Sequence, residues 1–158
     1  MFRRVNEKEI AEKWDNVFQP AIHLSLNSSA GAIQTIGYHE NAIKNIFNKL
    51  TNPFNATMQL WVAESDDIDY VVLTQGQVCE FTGRKSLLIF ASTRLRDIDS
   101  QTKLQGFQEA VKVITEFAIT NDCEGISGYT DLAYVRDKVV EVWPEPATTR
   151  YFFYLPIK

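Results

Sequence analysis

The chain has 158 residues, of which 45% are hydrophobic and 23% are charged, and its formal net charge is -4. These values are typical of a soluble globular protein and predict a single domain over residues 1–158. The acidic balance argues against nucleic acid as a partner, because phosphate backbones attract clusters of Lys and Arg. No apolar run reaches membrane-spanning length, so the sequence indicates no membrane partner.

Two cysteines, Cys79 and Cys123, are too few for a disulfide framework and form no C-x-x-C pair. Their apolar surroundings predict buried free thiols in a reducing compartment. The opening Met1-Phe2-Arg3-Arg4 is followed by charged residues and not by the apolar core of a signal peptide. A cytoplasmic location is therefore expected.

The first third of the chain predicts one strand and two helices. The strand covers residues 2–5, and Asn6 then provides the N-cap of a helix. Pro20 indicates either the end of that helix or a kink, after which the chain would continue helical through Leu24. A second helix is predicted over residues 40–50.

Three strand-like runs follow, separated by residues typical of turns. They cover residues 58–63, 70–81 and 86–95, and Gly76 indicates a bulge or bend within the second run. Runs of this length with short turns between them predict an antiparallel meander.

A long amphipathic helix comes next, capped by Asp99 or Ser100 and ending at Asn121, and a strand follows over residues 124–130. A strand, a crossover helix and a strand imply a parallel pair with the helix packed on the sheet. A helix over residues 132–142 and a strand over residues 148–157 complete the chain. The predicted order is β-α-α-β-β-β-α-β-α-β, an α/β (α+β) fold with a mixed sheet.

This order is similar to that of the GNAT superfamily, the GCN5-related N-acetyltransferases, and the similarity extends over the whole chain. The resemblance implies helices on both faces of the sheet. Within the superfamily, the chain resembles the small divergent GNAT-like proteins of tailed phages. Family members carry the signature Q/R-x-x-G-x-G/A where the last meander strand turns into the long helix. The corresponding stretch here is Gln101-Thr102-Lys103-Leu104-Gln105-Gly106. Gln101 and Gly106 match the signature, and Leu104 stands where its first glycine belongs.

The resemblance implies acetyl-CoA as co-substrate. Gln101 and Gly106 would hold its pyrophosphate, and Thr93 and Leu95 would offer backbone groups to its pantetheine arm. Tyr134 would be the acid that protonates the departing thiolate.

Acyl transfer also needs a base for the amine, and a second tyrosine could replace Tyr134. Glu80 is the candidate base, with Glu64 as the alternative, and Tyr129 is the alternative acid. The two histidines, His23 and His39, lie in unrelated segments without metal-ligand spacing, so no metal is predicted.

Two functions follow with equal weight. The first is an N-acyltransferase that moves an acetyl group from acetyl-CoA to an amine. The second is a non-catalytic GNAT-like structural or interaction protein with a protein partner, associated with a phage or its virion, which has lost cofactor binding. An unrelated α+β binding domain is a third alternative, and the sequence leaves open whether the chain forms a homo-oligomer.

Overall fold

The computed structural model describes residues 1–27, 39–54 and 57–128. They contain one mixed sheet with the strand order β1-β2-β3-β4-β5. The strands are β1 Phe2–Arg4, β2 Met58–Glu64, β3 Ile68–Val78, β4 Lys85–Arg94 and β5 Gly125–Gly128. Strands β1, β2 and β3 each pair antiparallel with the next strand, and β4 pairs parallel with β5. The predicted meander and crossover are therefore confirmed, whereas the predicted helix over 132–142 and strand over 148–157 lie outside the described residues.

The same described residues form four α-helices. They are α1 Glu7–Lys13, α2 Gln19–Leu26, α3 His39–Thr51 and α4 Ser100–Thr120. No helix among the described residues is long and apolar enough to cross a membrane.

Helices α1 and α2 form one continuous rod through a π-helical turn, Trp14–Phe18. The Asn6 side chain accepts a hydrogen bond from the Glu9 N–H at 2.9 Å, which confirms the predicted N-cap. Pro20 has no N–H to donate, and its ring crowds the preceding turn. The wider π turn, closed by a hydrogen bond from the Gln19 N–H to the Trp14 carbonyl, lets the helix pass this residue without a break.

The core has one part on each face of the sheet. Helices α1, α2 and α3 cover one face, where Phe18, Leu60 and Leu73 are almost completely buried. Helix α4 covers the other face, where the Trp61 ring meets the Phe117 ring edge-on at 5.2 Å. The expectation of helices on both faces is confirmed.

Strand β3 is continuous, and the predicted bend at Gly76 is wrong. The irregularity lies earlier, where Leu73 pairs with Ala91 but Thr74 pairs with Ile89, so Phe90 is an extra residue in β4. A buried chain of hydrogen bonds stabilises the sheet there, from Trp61 Nε1 to Thr74 Oγ1 and from Thr74 Oγ1 to Gln59 Oε1, each 2.8 Å. A bulge of this kind bends a strand and re-aims its side chains.

The cysteines correct another prediction. Cys79 and Cys123 are free thiols, but Cys79 is exposed in the turn after β3 and Cys123 is half-buried. The apolar neighbours in the sequence do not bury Cys79, because β3 ends at Val78 and the chain leaves the sheet.

One ion-pair network joins β1, α1 and β2. The Arg3 guanidinium donates to both carboxylate oxygens of Glu9 at 2.8 and 2.9 Å and to those of Glu64 at 2.8 and 2.7 Å. Lys13 adds a bond to Glu9 at 2.9 Å. The hydrogen bonds from Arg3 are the main cause that lowers the pKa of the Glu9 carboxyl to about 2.

We expect Glu9→Gln to reduce the loss in free energy of unfolding that acid causes. The folded-state pKa of Glu9 lies below its unfolded value of about 4.3, so the stabilisation is complete above about pH 4.3 and is lost as the pH falls toward 2. At pH 7 the substitution should cost about 1 kcal/mol, because solvent screens a network at the surface. Urea unfolding at pH 7, 4 and 2.5 measures this. Glu12→Gln, on the same helix and only 3.9 Å from Lys8, is the matched control, and an equal acid slope in both variants would contradict the assignment.

Candidate functional site

The turn from β4 into α4, residues 95–99, is fixed to the sheet by Asp69. The Leu95 N–H donates to the Asp69 carbonyl at 2.8 Å. The Asp69 carboxylate, almost completely buried, accepts hydrogen bonds from Arg96 and from the Ser65 hydroxyl. Arg96 also donates to the Ser65 hydroxyl. These contacts set where α4 begins.

Asp99 occupies the N-terminus of α4 as its N-cap, which confirms one of the two predicted caps. Its carboxylate accepts hydrogen bonds from the N–H groups of Gln101 and Thr102, both at 2.9 Å, and a further bond from the Thr102 hydroxyl. The Thr102 hydroxyl and these N–H groups lower the pKa of the Asp99 carboxyl, with the hydroxyl as the largest cause. A fixed negative charge therefore sits where the helix dipole favours an anion.

The turn itself has no anion-binding nest. Such a nest needs successive N–H groups turned to one side by alternating right- and left-handed backbone conformations. None of residues 95–99 has a positive φ; among the described residues, positive φ values occur at Gly83 and Asp122. The neighbouring cation Arg94 is paired with Asp97 at 3.1 Å.

The stretch that matches the family signature lies inside α4 and not in the turn. Gln101 is in the first turn, and its N–H already donates to Asp99. Gly106 is in the second turn, where each N–H is part of the helical hydrogen-bond ladder. Leu104, which stands in place of the first glycine of the signature, is 41% exposed and is not part of the buried face of α4. The structure thus places both predicted pyrophosphate ligands on a helix in which the Gln101 and Thr102 N–H groups already donate to Asp99.

Thr93 and Leu95, the predicted backbone partners of the pantetheine arm, do not lie on the edge of β4 that faces away from β3. Because Leu95 donates to β3 and N–H directions alternate along a strand, Thr93 also faces β3. The backbone of Ser92 therefore faces the β5 side of the strand. There, the Ser92 N–H donates to the Ser25 hydroxyl at 3.2 Å, and that hydroxyl lies 3.4 Å from the Ser92 carbonyl, to which it donates.

The predicted acid and base are not brought together among the described residues. Glu80 lies in the exposed turn between β3 and β4 and not on a strand. That turn is at the opposite end of the ten-residue strand β4 from Leu95, about 30 Å away at about 3.3 Å per residue. Glu64 is paired with Arg3 at 2.7 Å. Tyr134 and Tyr129 lie outside the described residues.

Sequence reasoning missed the role of Ser25. A single serine near the end of a helix has no pattern that marks it, and only the packing of α2 on β4 brings its hydroxyl to Ser92. In residues 1–27, 39–54 and 57–128 no three His, Cys, Asp or Glu side chains are grouped so that they could hold a metal ion.

Comparison with known proteins shows what this fold is. No protein-family model matches the sequence, and no curated protein matches it. Among solved structures, a probable acetyltransferase is similar with a TM-score of 0.66 at 11% identity, over 100% of this chain and 99% of that one. An aminoglycoside acetyltransferase from an uncultured soil metagenomic sample has a TM-score of 0.63 at 15% identity, over 100% and 96%. The ribosomal-protein-alanine N-acetyltransferase of Brucella melitensis biovar Abortus 2308 has a TM-score of 0.59 at 12% identity, over 100% and 99%.

Identities this low carry the fold alone, and the likeness extends over the full length of the chain. The mixed sheet with helices on its two faces thus matches the fold of GNAT acetyltransferases.

We expect Gly106→Ala to stabilise the protein by about 0.5–1 kcal/mol, because alanine lowers the entropy lost in a helix interior. A Cβ atom at Gly106 would meet no atom within 4 Å. Urea unfolding measures the change, and Gly83→Ala is the matched control. Gly83 has φ +69°, so alanine there should destabilise. A loss of stability in Gly106→Ala would contradict the placement of this residue at an uncrowded position in the helix interior.

Proposed function

We propose that this chain uses the GNAT fold as a non-catalytic binding or structural protein that does not take up acetyl-CoA in the manner of the superfamily. The observation that carries the proposal is the Asp99 carboxylate at the N-terminus of α4. It is bonded to the N–H groups that a pyrophosphate at this helix end would need.

Electrostatics support this reading. A pyrophosphate at the same place would lie beside a carboxylate whose lowered pKa keeps it ionised at neutral pH. The two guanidinium groups beside this turn already have carboxylate partners, Arg94 in the exposed Asp97 and Arg96 in the buried Asp69. The residues present therefore do not fit the phosphate end of acetyl-CoA.

The backbone supports it independently. A bound pyrophosphate is usually approached by glycine N–H groups in a turn with mixed handedness. The turn 95–99 reads Leu-Arg-Asp-Ile-Asp, contains no glycine, and has no positive φ. Rotation of the Asp99 side chain alone would not create a nest there.

The partner of such a protein would be another protein. The net charge of -4 argues against nucleic acid. The resemblance to divergent phage proteins that is expected from the sequence would imply a phage or virion-associated role, and we propose a cytoplasmic location for the unassembled chain.

The test is a melting curve with acetyl-CoA. A ligand at about 100 times its Kd stabilises the native state by about 2.7 kcal/mol, which raises the Tm of a domain of this size by several degrees. We expect millimolar acetyl-CoA to leave the Tm of the wild type unchanged, while an active acetyltransferase of the same fold, run in parallel, shows the rise. A rise of several degrees in the wild type would overturn the proposal.

N-acetyl transfer to an amine is the second candidate function. It is favoured by the bulge at Phe90, which directly follows the last residue of β4 that pairs with β5, since bulges are common next to active sites. In the reaction the amine nitrogen would form a bond to the acetyl carbon, the C–S bond would break, the amine proton would pass to a base, and the thiolate would take a proton from an acid. Tyr134 is the proposed acid; the position of Glu80 gives its proposed role as base no support.

For this second function, Tyr134→Phe is the decisive variant. If the wild type releases free thiol from acetyl-CoA with an amine acceptor, the variant should lose at least tenfold in kcat, because the thiolate would leave without a positioned acid. Tyr70→Phe, at a half-buried position on β3, is the matched control. Equal thiol release by the wild type and by Tyr134→Phe would remove Tyr134 from the reaction.

A further inference from the structure

The edge of β4 that faces β5 has two sections. Strand β5 pairs with the first section, from Ser86↔Gly125 to Ile89↔Gly128. Beyond the bulge at Phe90, the backbone of Ser92 is bonded to a side chain instead of a strand. One hydroxyl, that of Ser25, accepts from the Ser92 N–H and donates to the Ser92 carbonyl. These are the two bonds that a neighbouring extended chain would make to that residue.

Helix α2 holds this hydroxyl firmly. Ser25 is itself buried, with 9% of its surface exposed, and its helical neighbours Ile22 and Leu26 are almost completely buried. A second hydrogen bond joins the same two elements, from the Thr93 hydroxyl to the Ala21 carbonyl at 2.8 Å. Two hydrogen bonds and the burial of this face of α2 therefore hold the helix against β4.

We infer that helix α2 closes this edge of β4 from within, with the Ser25 hydroxyl in the place of an extended ligand. The ligand chemistry that the edge would otherwise accept is an amide-containing chain such as the pantetheine arm of an acyl-CoA, whose N–H and C=O groups match those of a strand edge. The inference rests on the proposed function and deepens it. Asp99 excludes the phosphate end of the molecule, and Ser25 excludes its arm.

The contact itself is tested by amide hydrogen exchange. Ser25→Ala should speed exchange of the Ser92 amide at least tenfold, whereas the amides of Thr93 and Leu95, which face β3, should stay slow. Thr93→Val is the matched control, because it removes the other bond between α2 and β4 and leaves the Ser92 N–H bonded. Ser25→Cys keeps the side-chain shape with a larger atom that forms only weak hydrogen bonds, and it serves if the alanine variant does not fold. Unchanged exchange at Ser92 in these Ser25 variants would overturn the inference.

The closing role is tested by binding, with acetyl-CoA as the probe in isothermal calorimetry. Asp99→Gly keeps an accepted N-cap residue while it removes the carboxylate. We expect the double variant Asp99→Gly with Ser25→Ala to bind acetyl-CoA at least tenfold tighter than Asp99→Gly alone. Equal affinity of the two, or no binding by the double variant, would overturn the closing role.

The outcomes separate the inference from the proposed function. Binding of acetyl-CoA by the wild type would sink the proposed function whatever the variants do. Equal affinity with and without the Ser25 hydroxyl, in a protein whose wild type does not bind, would sink only the role of α2.

Discussion

The buried Asp69 is the constraint on which the arrangement of the candidate site depends. Its side chain is almost completely removed from water, and an ionised carboxylate in that position must be paired to be tolerated. Arg96 and Ser65 provide the partners, and the Asp69 carbonyl accepts the Leu95 N–H. Because Leu95 and Arg96 are the first residues after β4, these bonds dictate where the chain leaves the sheet and where α4 begins.

A helix that begins at a fixed place leaves unsatisfied N–H groups at its first turn, and something must accept them. A fold that binds acyl-CoA can use the ligand for this purpose. In this chain the Asp99 carboxylate accepts two of them. A side chain of the protein can thus satisfy the N–H groups that a ligand would otherwise satisfy. The fold alone therefore does not imply the activity.

The sequence predicted the elements around the site better than the site itself. Asp99 was predictable as an N-cap, because a short acidic side chain before an amphipathic run is the usual start of a helix. The position of the phosphate-binding signature was not predictable. The turn 95–99 contains no glycine, so the signature could be matched only to Gly106, which lies inside the helix. A motif with one glycine missing carries too little information to fix its own register.

The open edge of β4 could not be predicted for a different reason. Side-chain and N–H directions alternate with a period of two, so one extra residue reverses every later assignment. The extra residue is Phe90, and the buried bonds among Trp61, Thr74 and Gln59 that accompany it join residues far apart in the sequence. A strand pattern read from Ser86 onward passes through Phe90 without any sign of the bulge. Because of this one extra residue, the backbone of Ser92 faces away from β3, and the backbones of Thr93 and Leu95 face β3.

A second extra residue acts in the same way on the helix that faces this edge. The π turn Trp14–Phe18 allows Pro20 to remain in the helix, and one added residue rotates everything after it by about 100° relative to α1. Ser25 lies after that turn, so its direction toward Ser92 depends on the π turn as much as on its own identity. An α-helix without the insertion would present a different face of α2 to β4. The closed edge therefore depends on two local irregularities, one in the helix and one in the strand, which bring a hydroxyl and a backbone amide together.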